Sequence, residues 1–276
     1  MREENEYLLG TDDDELRRLG FQHQLWARET ADGWERGRFG LGSHLLDIGC
    51  GPGFATLDMA RLAGSAGRVT GVDISPRFVA HLQARAAALG MANVSVEVQD
   101  IEALALPAES FDGAYTRWVL TYLRRPDAVI AGAAKALRRG GRLVVQDYSH
   151  YTGIQLAPHD PAFDRVVQAV VRSWRDRGGD PDVGARIPRM IHDAGLEVVS
   201  VTPLTRIARP GEAFWEWPRT FYDNYLPQLV EAGYLAEEAR QAFDAYPALI
   251  RGVQAGLVAA RGIPLRGIHP PVAVAG

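Results

Sequence analysis

Short apolar segments alternate with helical patterns along residues 44–147 of the chain. The predicted strands cover residues 44–48, 68–73, 94–98 and 111–115, and a fifth strand opens at Leu143. Between them, apolar residues recur at helical spacing over residues 54–62, 76–89 and 126–137. Alternation of this kind is typical of a parallel sheet with helices on both faces. The pattern predicts an α/β fold with a doubly wound, mostly parallel sheet, which binds ligands at the carboxyl ends of its strands.

The segments before and after the α/β region have mostly helical spacing of apolar residues. Residues 11–30 predict an N-terminal helix, or a pair of helices broken around Gly20. Later segments predict helices over 161–176 and 183–194, a strand over 196–201, a mostly helical stretch over 211–260 and a last strand near 272–274. We therefore divide the chain into three parts: a helical lid over 1–40, an α/β core over 41–150, and a remainder over 151–276 with helical cap insertions at 151–195 and 208–262.

Composition narrows the class of protein. Thirty Lys and Arg face 34 Asp and Glu, for a net charge of −4, so no basic excess indicates a nucleic-acid partner. The chain has no stretch that approaches the roughly 20 apolar residues needed to span a bilayer. The first residues lack the apolar run of a signal peptide, which predicts a cytoplasmic protein without a membrane partner. A single cysteine, Cys50, excludes an intramolecular disulfide and any CxxC motif.

A glycine-rich turn carries the first chemical signal. In LLDIGCGPGF, residues 45–54, Gly49, Gly51 and Gly53 follow a predicted strand and precede a predicted helix. Glycine lets a ligand approach the backbone, and the helix start offers free N–H groups. The dinucleotide fingerprint GxGxxG fails in both registers, because its third position falls on Phe54 or Thr56. A phosphate-binding P-loop fails too, since no Gly-Lys-Ser/Thr follows.

Two acidic residues lie at the ends of the next two strands. Asp73 ends the second strand, where a carboxylate accepts hydrogen bonds from ribose hydroxyls. Asp100 lies just beyond the third strand, within reach of an adenine amine. Together with the glycine turn, these residues indicate an adenosine ligand that lacks a pyrophosphate.

The motifs together resemble one family. LLDIGCGPG, GVDIS, QDIEALALP, FDGAYTRWVLTYL and LRRGGRLVV stand in the order and spacing of a class I S-adenosylmethionine-dependent methyltransferase, over about residues 44–147. The opening EYLLGTDDDELRRLGFQHQLW is more loosely similar to the N-terminal helices of methyltransferases that act on small molecules, often natural products. The resemblance implies a Rossmann-like sheet and S-adenosylmethionine as the cofactor.

The resemblance also implies roles for individual residues. Gly49, Gly51 and Gly53 would line the methionine moiety, with Asp47 beneath them. Asp73 would hold the ribose, and Ile74 would pack on the adenine. The remaining implied cofactor residues are Asp100 and Ile101 at the adenine edge, Arg117 near the methionine part, and Tyr7 reaching the cofactor carboxylate from the lid.

The acceptor side offers weaker signals. A hydroxyl acceptor must lose a proton, and His23 and His150 are the candidate bases. An apolar aromatic pocket suits a drug-sized acceptor. No metal is expected, because the fourth strand ends at Arg117, where a cation replaces a metal ligand. The aromatic candidates for the substrate pocket are Trp26, Trp118, Tyr148, Trp215 and Tyr222.

The sequence therefore predicts a methyltransferase for a small organic molecule, with a hydroxyl or phenol oxygen in a specialised natural-product pathway as the preferred acceptor. N- or C-methylation runs on the same scaffold, because a fold does not choose the acceptor atom. An S-adenosylmethionine-binding enzyme that does not methylate, such as a cyclase, is a further alternative. A nicotinamide-dependent dehydrogenase is less favoured because the GxGxxG register fails. A homodimer is possible.

Overall fold

A seven-stranded sheet forms the centre of the computed structural model, which describes residues 10–238, 240, 249–251 and 255–262. Its strands are β1 (His44–Ile48), β2 (Arg68–Asp73), β3 (Val94–Val98), β4 (Phe111–Arg117), β5 (Leu137–Tyr148), β7 (Leu196–Leu204) and β10 (Ala255–Gly262). Their order is β3-β2-β1-β4-β5-β10-β7. The five strands from β3 to β5 are parallel, whereas β10 is antiparallel to both of its neighbours. A second sheet of short strands joins β6 (Gln155–Ala157), β8 (Ile207–Ala208) and β9 (Leu249–Arg251).

Helices cover both faces of the large sheet. Leu45 of β1 packs in one hydrophobic cluster, whereas Leu46 and Ile48 pack in another, because successive side chains of a strand point to opposite faces. The sheet is therefore buried on both sides, as the doubly wound prediction requires. The helices are α1 (Asp13–Leu25), α2 (Ala27–Arg36), α3 (Phe54–Ala63), α4 (Pro76–Ala88), α5 (Pro126–Ala136), α6 (Pro161–Asp176), α7 (Ile187–Asp193) and α8 (Ala213–Glu231).

Two predicted boundaries are wrong. Helix α1 runs through Gly20, and the chain breaks instead at Trp26. A Cβ atom on Gly20 would lie 3.0 Å from Cζ of Phe54, so this glycine permits close helix packing rather than a break. Strand β5 begins at Leu137, well before Leu143, because Leu137 already pairs with Phe111 ahead of an irregularity in the ladder.

The helical prediction for residues 211–260 holds only in part. Helix α8 covers Ala213–Glu231, but Ala255–Gly262 forms a strand between β5 and β7. The alanines and the leucine of AGLVAARG favour a helix locally, and pairing with two neighbouring strands overrides that preference. The strand predicted near 272–274 lies outside the described residues, and the three-part domain division stays a prediction.

A buried carboxylate holds the segment that follows β4. Asp147, fully buried near the end of β5, accepts hydrogen bonds from the backbone N–H groups of Val119 at 3.2 Å and Leu120 at 2.9 Å through Oδ2. Its Oδ1 accepts a third bond, from Tyr148 N at 2.9 Å. Trp118, just before this segment, has a positive φ of 50°. Burial raises the pKa of Asp147 to about 7, against 3.8 for an exposed Asp.

Replacement of Asp147 tests this anchor. The folded protein keeps a proton on Asp147 up to about pH 7, whereas the unfolded chain releases it near pH 4. The free energy of unfolding of the wild type therefore falls as the pH rises from about 4 to about 7. Asp147→Asn removes the titrating group but leaves an amide N–H against a backbone donor. We expect the variant to be less stable than wild type at pH 5, with a deficit that shrinks by about 1–3 kcal/mol by pH 8.

Urea unfolding at pH 5, 6, 7 and 8 measures this difference. Asp127→Asn, at an exposed site, serves as the control and is expected to keep a constant offset from wild type. A constant offset for Asp147→Asn as well would contradict the assignment of a raised pKa to this residue.

Candidate cofactor and acceptor site

A cavity of about 740 Å³ opens at the carboxyl ends of β1, β2, β4 and β5. One end is formed by the glycine-rich turn and strand-end acids, and the other by aromatic residues that follow β4 and β5 or belong to α6 and α8. Eight of the predicted cofactor residues line it: Asp47, Gly49, Gly51, Asp73, Ile74, Asp100, Ile101 and Arg117. Gly53 lies behind the lining, and Tyr7 lies outside the described residues.

The three glycines of the turn have different physical roles. Gly49, Gly51 and Gly53 all have positive φ, at 68°, 53° and 85°. A Cβ atom on Gly49 would lie 2.5 Å from Val119 Cγ2, and one on Gly53 would lie 2.1 Å from Leu82 Cδ1. A Cβ atom on Gly51 meets no protein atom within 4 Å. The outer glycines are therefore required for packing, and the middle one borders open space in the cavity.

Carboxylates surround this turn. Asp47 is buried and accepts a 2.6 Å hydrogen bond from Thr56 Oγ1, and burial raises its pKa to about 6. Asp73 accepts bonds from Gly51 N at 2.7 Å and Ser75 N at 2.9 Å, and burial raises its pKa above the usual value. Asp100 is exposed and accepts a 2.9 Å bond from Glu102 N. This acidic end suits a ligand with a sulfonium and an ammonium group, so the residues fit S-adenosylmethionine.

Arg117 connects the cavity to the N-terminal helices. Its Nη1 donates to Thr30 Oγ1 of α2 at 2.9 Å, and its Nη2 lies 3.0 Å from His23 Nδ1 of α1. Because an arginine only donates, Nδ1 is the acceptor, and Nε2–H of His23 donates to Asp58 Oδ2 at 2.8 Å. The bond from His23 is the main cause of a lowered pKa at Asp58. Both N-terminal helices therefore contact one guanidinium that lines the cavity, and their role as a lid stays a prediction.

The glycine turn, the acidic residues and Arg117 thus line one cavity. Residues 41–176 match the family described as methyltransferase domain. These residues form a methyltransferase domain, and their sheet has the fold of class I S-adenosylmethionine-dependent methyltransferases.

Relatives of the chain include named methyltransferases. Aklanonic acid methyltransferase DauC from a Streptomyces species is 38% identical over 37% of this chain and 46% of its own length. O-methyltransferase cnsE from Penicillium expansum is 29% identical over 72% of this chain and 69% of its own length. Among solved structures, the [4+2]-cyclase SpnF shares the fold, with a TM-score of 0.58 and 22% identity over 85% of this chain and 80% of SpnF. The chain spans 59% of a transposon protein from Streptomyces fradiae and 46% of DauC, about half the length of these relatives.

The two candidate bases lie outside the cavity wall. His23 is buried behind Arg117, and each of its ring nitrogens has a hydrogen-bond partner. His150 is exposed, and its ring lies against Gly153. Neither side chain lines the cavity. Their role as bases stays a prediction, with no contact to the cavity that supports it.

The aromatic candidates fall into two groups. Trp118, Tyr148 and Tyr222 line the cavity. Trp26 is fully buried behind them, with its ring edge-to-face against Trp118 at 5.6 Å, and the half-buried Trp215 packs against the same cluster.

Sequence reasoning missed Tyr122 and Tyr151 at the acceptor end, whereas Trp217 and Phe221 belong to aromatic-rich segments that it treats as pocket candidates. Trp174 of α6 lies 5.0 Å from Tyr122 and 4.9 Å from Tyr151, measured between ring centroids, and all three rings line the cavity. Trp217 and Phe221 of α8 complete this wall. The signal for Trp174 was its helical spacing from Val167 and Val170 on the buried side of α6. Tyr122 and Tyr151 lie in short turns, for which the sequence has no periodic signal.

The described residues also limit two other classes of site. No group of three or more His, Cys, Asp and Glu side chains within them is arranged to hold a metal ion. Each helix within the described ranges is too short or too polar to cross a bilayer.

Substitution at the turn separates packing from ligand contact. We expect Gly53→Ala to lower the free energy of unfolding by about 2–4 kcal/mol, because the methyl group clashes with Leu82 and the residue has positive φ. Gly51→Ala adds only backbone strain of about 1 kcal/mol, but its methyl group enters ligand space and weakens S-adenosylhomocysteine binding. Urea unfolding and calorimetric titration measure the two effects. Equal losses of stability, or unchanged affinity in Gly51→Ala, would overturn this division.

Substitution of His23 separates a base from a residue that holds Arg117. His23→Phe keeps the ring stacked on Phe54 but removes the acceptor for Arg117, so we expect affinity for S-adenosylhomocysteine to fall about tenfold. Thr30→Val removes the second support and is expected to act in the same direction. His150→Phe, at an exposed position, is the control. If His23→Phe leaves affinity unchanged and lowers only the turnover rate, His23 acts as a base after all.

Proposed function

We propose that this enzyme transfers the methyl group of S-adenosylmethionine to a hydroxyl or phenol oxygen of a small aromatic molecule in a specialised natural-product pathway. The observation that carries the proposal is the single cavity, which joins the acid-lined glycine turn to an aromatic chamber. A cofactor and a small acceptor fit side by side in such a volume, as proximity catalysis requires. The name of DauC, an aklanonic acid methyltransferase, supports a small organic substrate, and that of cnsE, an O-methyltransferase, supports an oxygen acceptor.

The residues at the acidic end would hold the cofactor. S-adenosylmethionine supplies an electrophilic methyl group on a sulfonium. Asp73 would accept hydrogen bonds from the ribose hydroxyls, and Asp100 would accept one from the adenine amine. Ile74 and Ile101 offer apolar surface to the adenine, and Arg117 offers free N–H groups to a carboxylate. Gly51 leaves room for the methionine part because it has no side chain.

The residues at the aromatic end would orient the acceptor. Trp118, Tyr148 and Tyr222 offer ring faces and edges to a flat molecule. Burial raises the pKa of the Tyr151 and Tyr222 hydroxyls, so both stay neutral and serve as hydrogen-bonding groups. No histidine lines the cavity within the described part of the chain. A phenol acceptor would therefore bind as its anion or lose its proton to water, and alignment supplies most of the catalysis.

Other reactions are compatible with the same fold. The [4+2]-cyclase SpnF has this fold without methyl transfer in its name, which keeps a non-methylating reaction as the second candidate. Nitrogen and carbon acceptors are further alternatives. We also infer a small-molecule partner rather than nucleic acid or membrane, and the homodimer and the cytoplasmic location stay predictions.

Ligand binding tests the cofactor first, and product analysis then tests the acceptor. S-adenosylhomocysteine at about 100 times its dissociation constant stabilises a protein by about 2.7 kcal/mol, which raises Tm by about 5–10 °C at this chain length. We expect that shift with S-adenosylhomocysteine, none with NAD, and a smaller shift in Asp73→Ala. A shift with NAD alone would replace the proposal with a dehydrogenase.

The acceptor is tested with S-adenosylmethionine and matched panels of phenols, amines and activated carbon acids. Mass spectrometry is expected to detect methylated phenols together with S-adenosylhomocysteine. Methylated amines or carbon acids instead would correct the acceptor atom. Cofactor binding without any methylated product would favour the non-methylating alternative.

A further inference from the structure

Two guanidinium groups line the acceptor end of the cavity. Arg124 follows the turn after β4, and Arg177 directly follows α6. The described contacts of Arg124 are with the backbone, where its Nε donates to Arg177 O at 3.4 Å. Arg177 Nη1 donates to Tyr225 Oη at 2.6 Å. Within the described ranges, neither guanidinium forms an ion pair with a carboxylate.

Neighbouring arginines behave differently. Arg175 pairs with Asp182 at 3.5 Å, and Arg186 pairs with Asp180 at 3.0 Å. Neither of these arginines lines the cavity. Arg124 and Arg177 therefore lack, within the described residues, the carboxylate partner that Arg175 and Arg186 have.

Buried hydroxyl groups hold Arg177 in place. Tyr225 is fully buried, and its hydroxyl lies 2.9 Å from Ser173 Oγ, which in turn donates to Val170 O at 2.8 Å. The favourable end of the α6 dipole explains a cation at this position, but it does not require a contact with a buried hydroxyl. An arginine held at one nitrogen loses less entropy when its remaining N–H groups bind a ligand.

Close backbone contact brings the two arginine segments together. A Cβ atom on Gly178 would lie 2.6 Å from Arg124 Cγ, and one on Gly179 would lie 2.6 Å from Thr121 O. Asp180 N also donates to Thr121 O at 2.8 Å. The glycines after α6 therefore allow Arg124 to lie directly over the chain that carries Arg177.

The aromatic wall adjoins this pair. Trp174 precedes Arg177 by three residues, so the two side chains lie on the same face of α6. The Trp174 ring contacts Tyr122, which precedes Arg124 by two residues. Asp176 also lines this end, and its Oδ2 accepts a 2.9 Å bond from Tyr234 Oη. Glu102, whose Oε1 accepts a 2.5 Å bond from Arg125 N beside Arg124, lines the cavity as well. Within the described residues, neither of these two carboxylates forms an ion pair with Arg124 or Arg177.

We propose that the acceptor is a planar aromatic molecule with a carboxylate, which Arg124 and Arg177 bind at the exposed rim while its rings lie against Trp174 and Tyr122. This inference rests on the proposed function, because it names the class of acceptor for the same cavity. A carboxylate matches the planar N–H geometry of a guanidinium, and an aromatic ring system matches the wall beside it.

A matched pair of compounds tests the anion site. The probes are 4,5-dihydroxyanthraquinone-2-carboxylate and its uncharged carboxamide, titrated by calorimetry into the full chain saturated with S-adenosylhomocysteine. We expect wild type to bind the carboxylate at least tenfold more tightly than the amide. Arg124→Gln and Arg177→Gln are each expected to reduce that preference to about threefold or less. Arg186→Gln, a nearby arginine outside the cavity, is expected to keep it.

Further measurements separate the possible failures. Tyr225→Phe keeps the charge of Arg177 but releases its support, so we expect a reduced preference with unchanged S-adenosylhomocysteine affinity. The same affinity shows that the arginine variants are folded. Three outcomes would overturn the inference, provided that S-adenosylhomocysteine still binds. These are equal affinity for the acid and the amide, a preference for the acid that survives both arginine substitutions, and no binding of either probe. Failure of wild type to bind S-adenosylhomocysteine would instead remove the proposed function.

Discussion

The packing of Gly49 against Val119 links the elements that form the cavity. Val119 occupies the space next to Gly49 that a side chain would need, so the turn after β1 and the segment after β4 lie in direct contact. Asp147 of β5 fixes the backbone of Val119 and Leu120 from the other side. The ends of three adjacent parallel strands are thus connected through one glycine and one buried carboxylate. Trp118 and Arg117, which line the cavity, precede this fixed segment and take their positions from it.

The N-terminal helices complete the site rather than only covering it. Helix α1 holds Arg117 through His23, and its Gln22 accepts a 2.8 Å bond from Trp217 Nε1 of α8. Gln22 itself lines the cavity. One helix therefore contacts both the residue that faces the cofactor end and the aromatic wall of the acceptor end. Movement of α1 would change the two ends together, which is a physical route to couple cofactor binding with acceptor binding.

The parts of the structure that were predictable from sequence are those encoded locally. Helix α6 spans the predicted residues 161–176, because its apolar spacing, its Asp160 cap and its Pro161 start are all local. The residues at the acidic end of the cavity were predictable because they lie in short motifs at strand ends. Strand β10 was not, since its strand conformation depends on pairing with β5 and β7. The aromatic wall was only partly predictable for the same reason. Packing of α8 against α1 decides which side of α8 faces the cavity, and it places Trp217 there rather than Trp215.

The distribution of charge along the cavity bears on the choice of acceptor atom. The end with the glycine turn is acidic, the middle is lined by neutral buried aromatics, and the rim carries two guanidinium groups that form no ion pair within the described residues. Methyl transfer from a sulfonium to a phenolate removes a pair of opposite charges, and such a step is favoured where the surroundings solvate ions poorly. Transfer to a neutral amine only moves the positive charge, so the apolar middle gives it no comparable advantage. Cations at the rim would also draw an anionic acceptor toward its binding site. The same charge pattern therefore favours an oxygen acceptor at the reacting centre and an anionic group at the entrance.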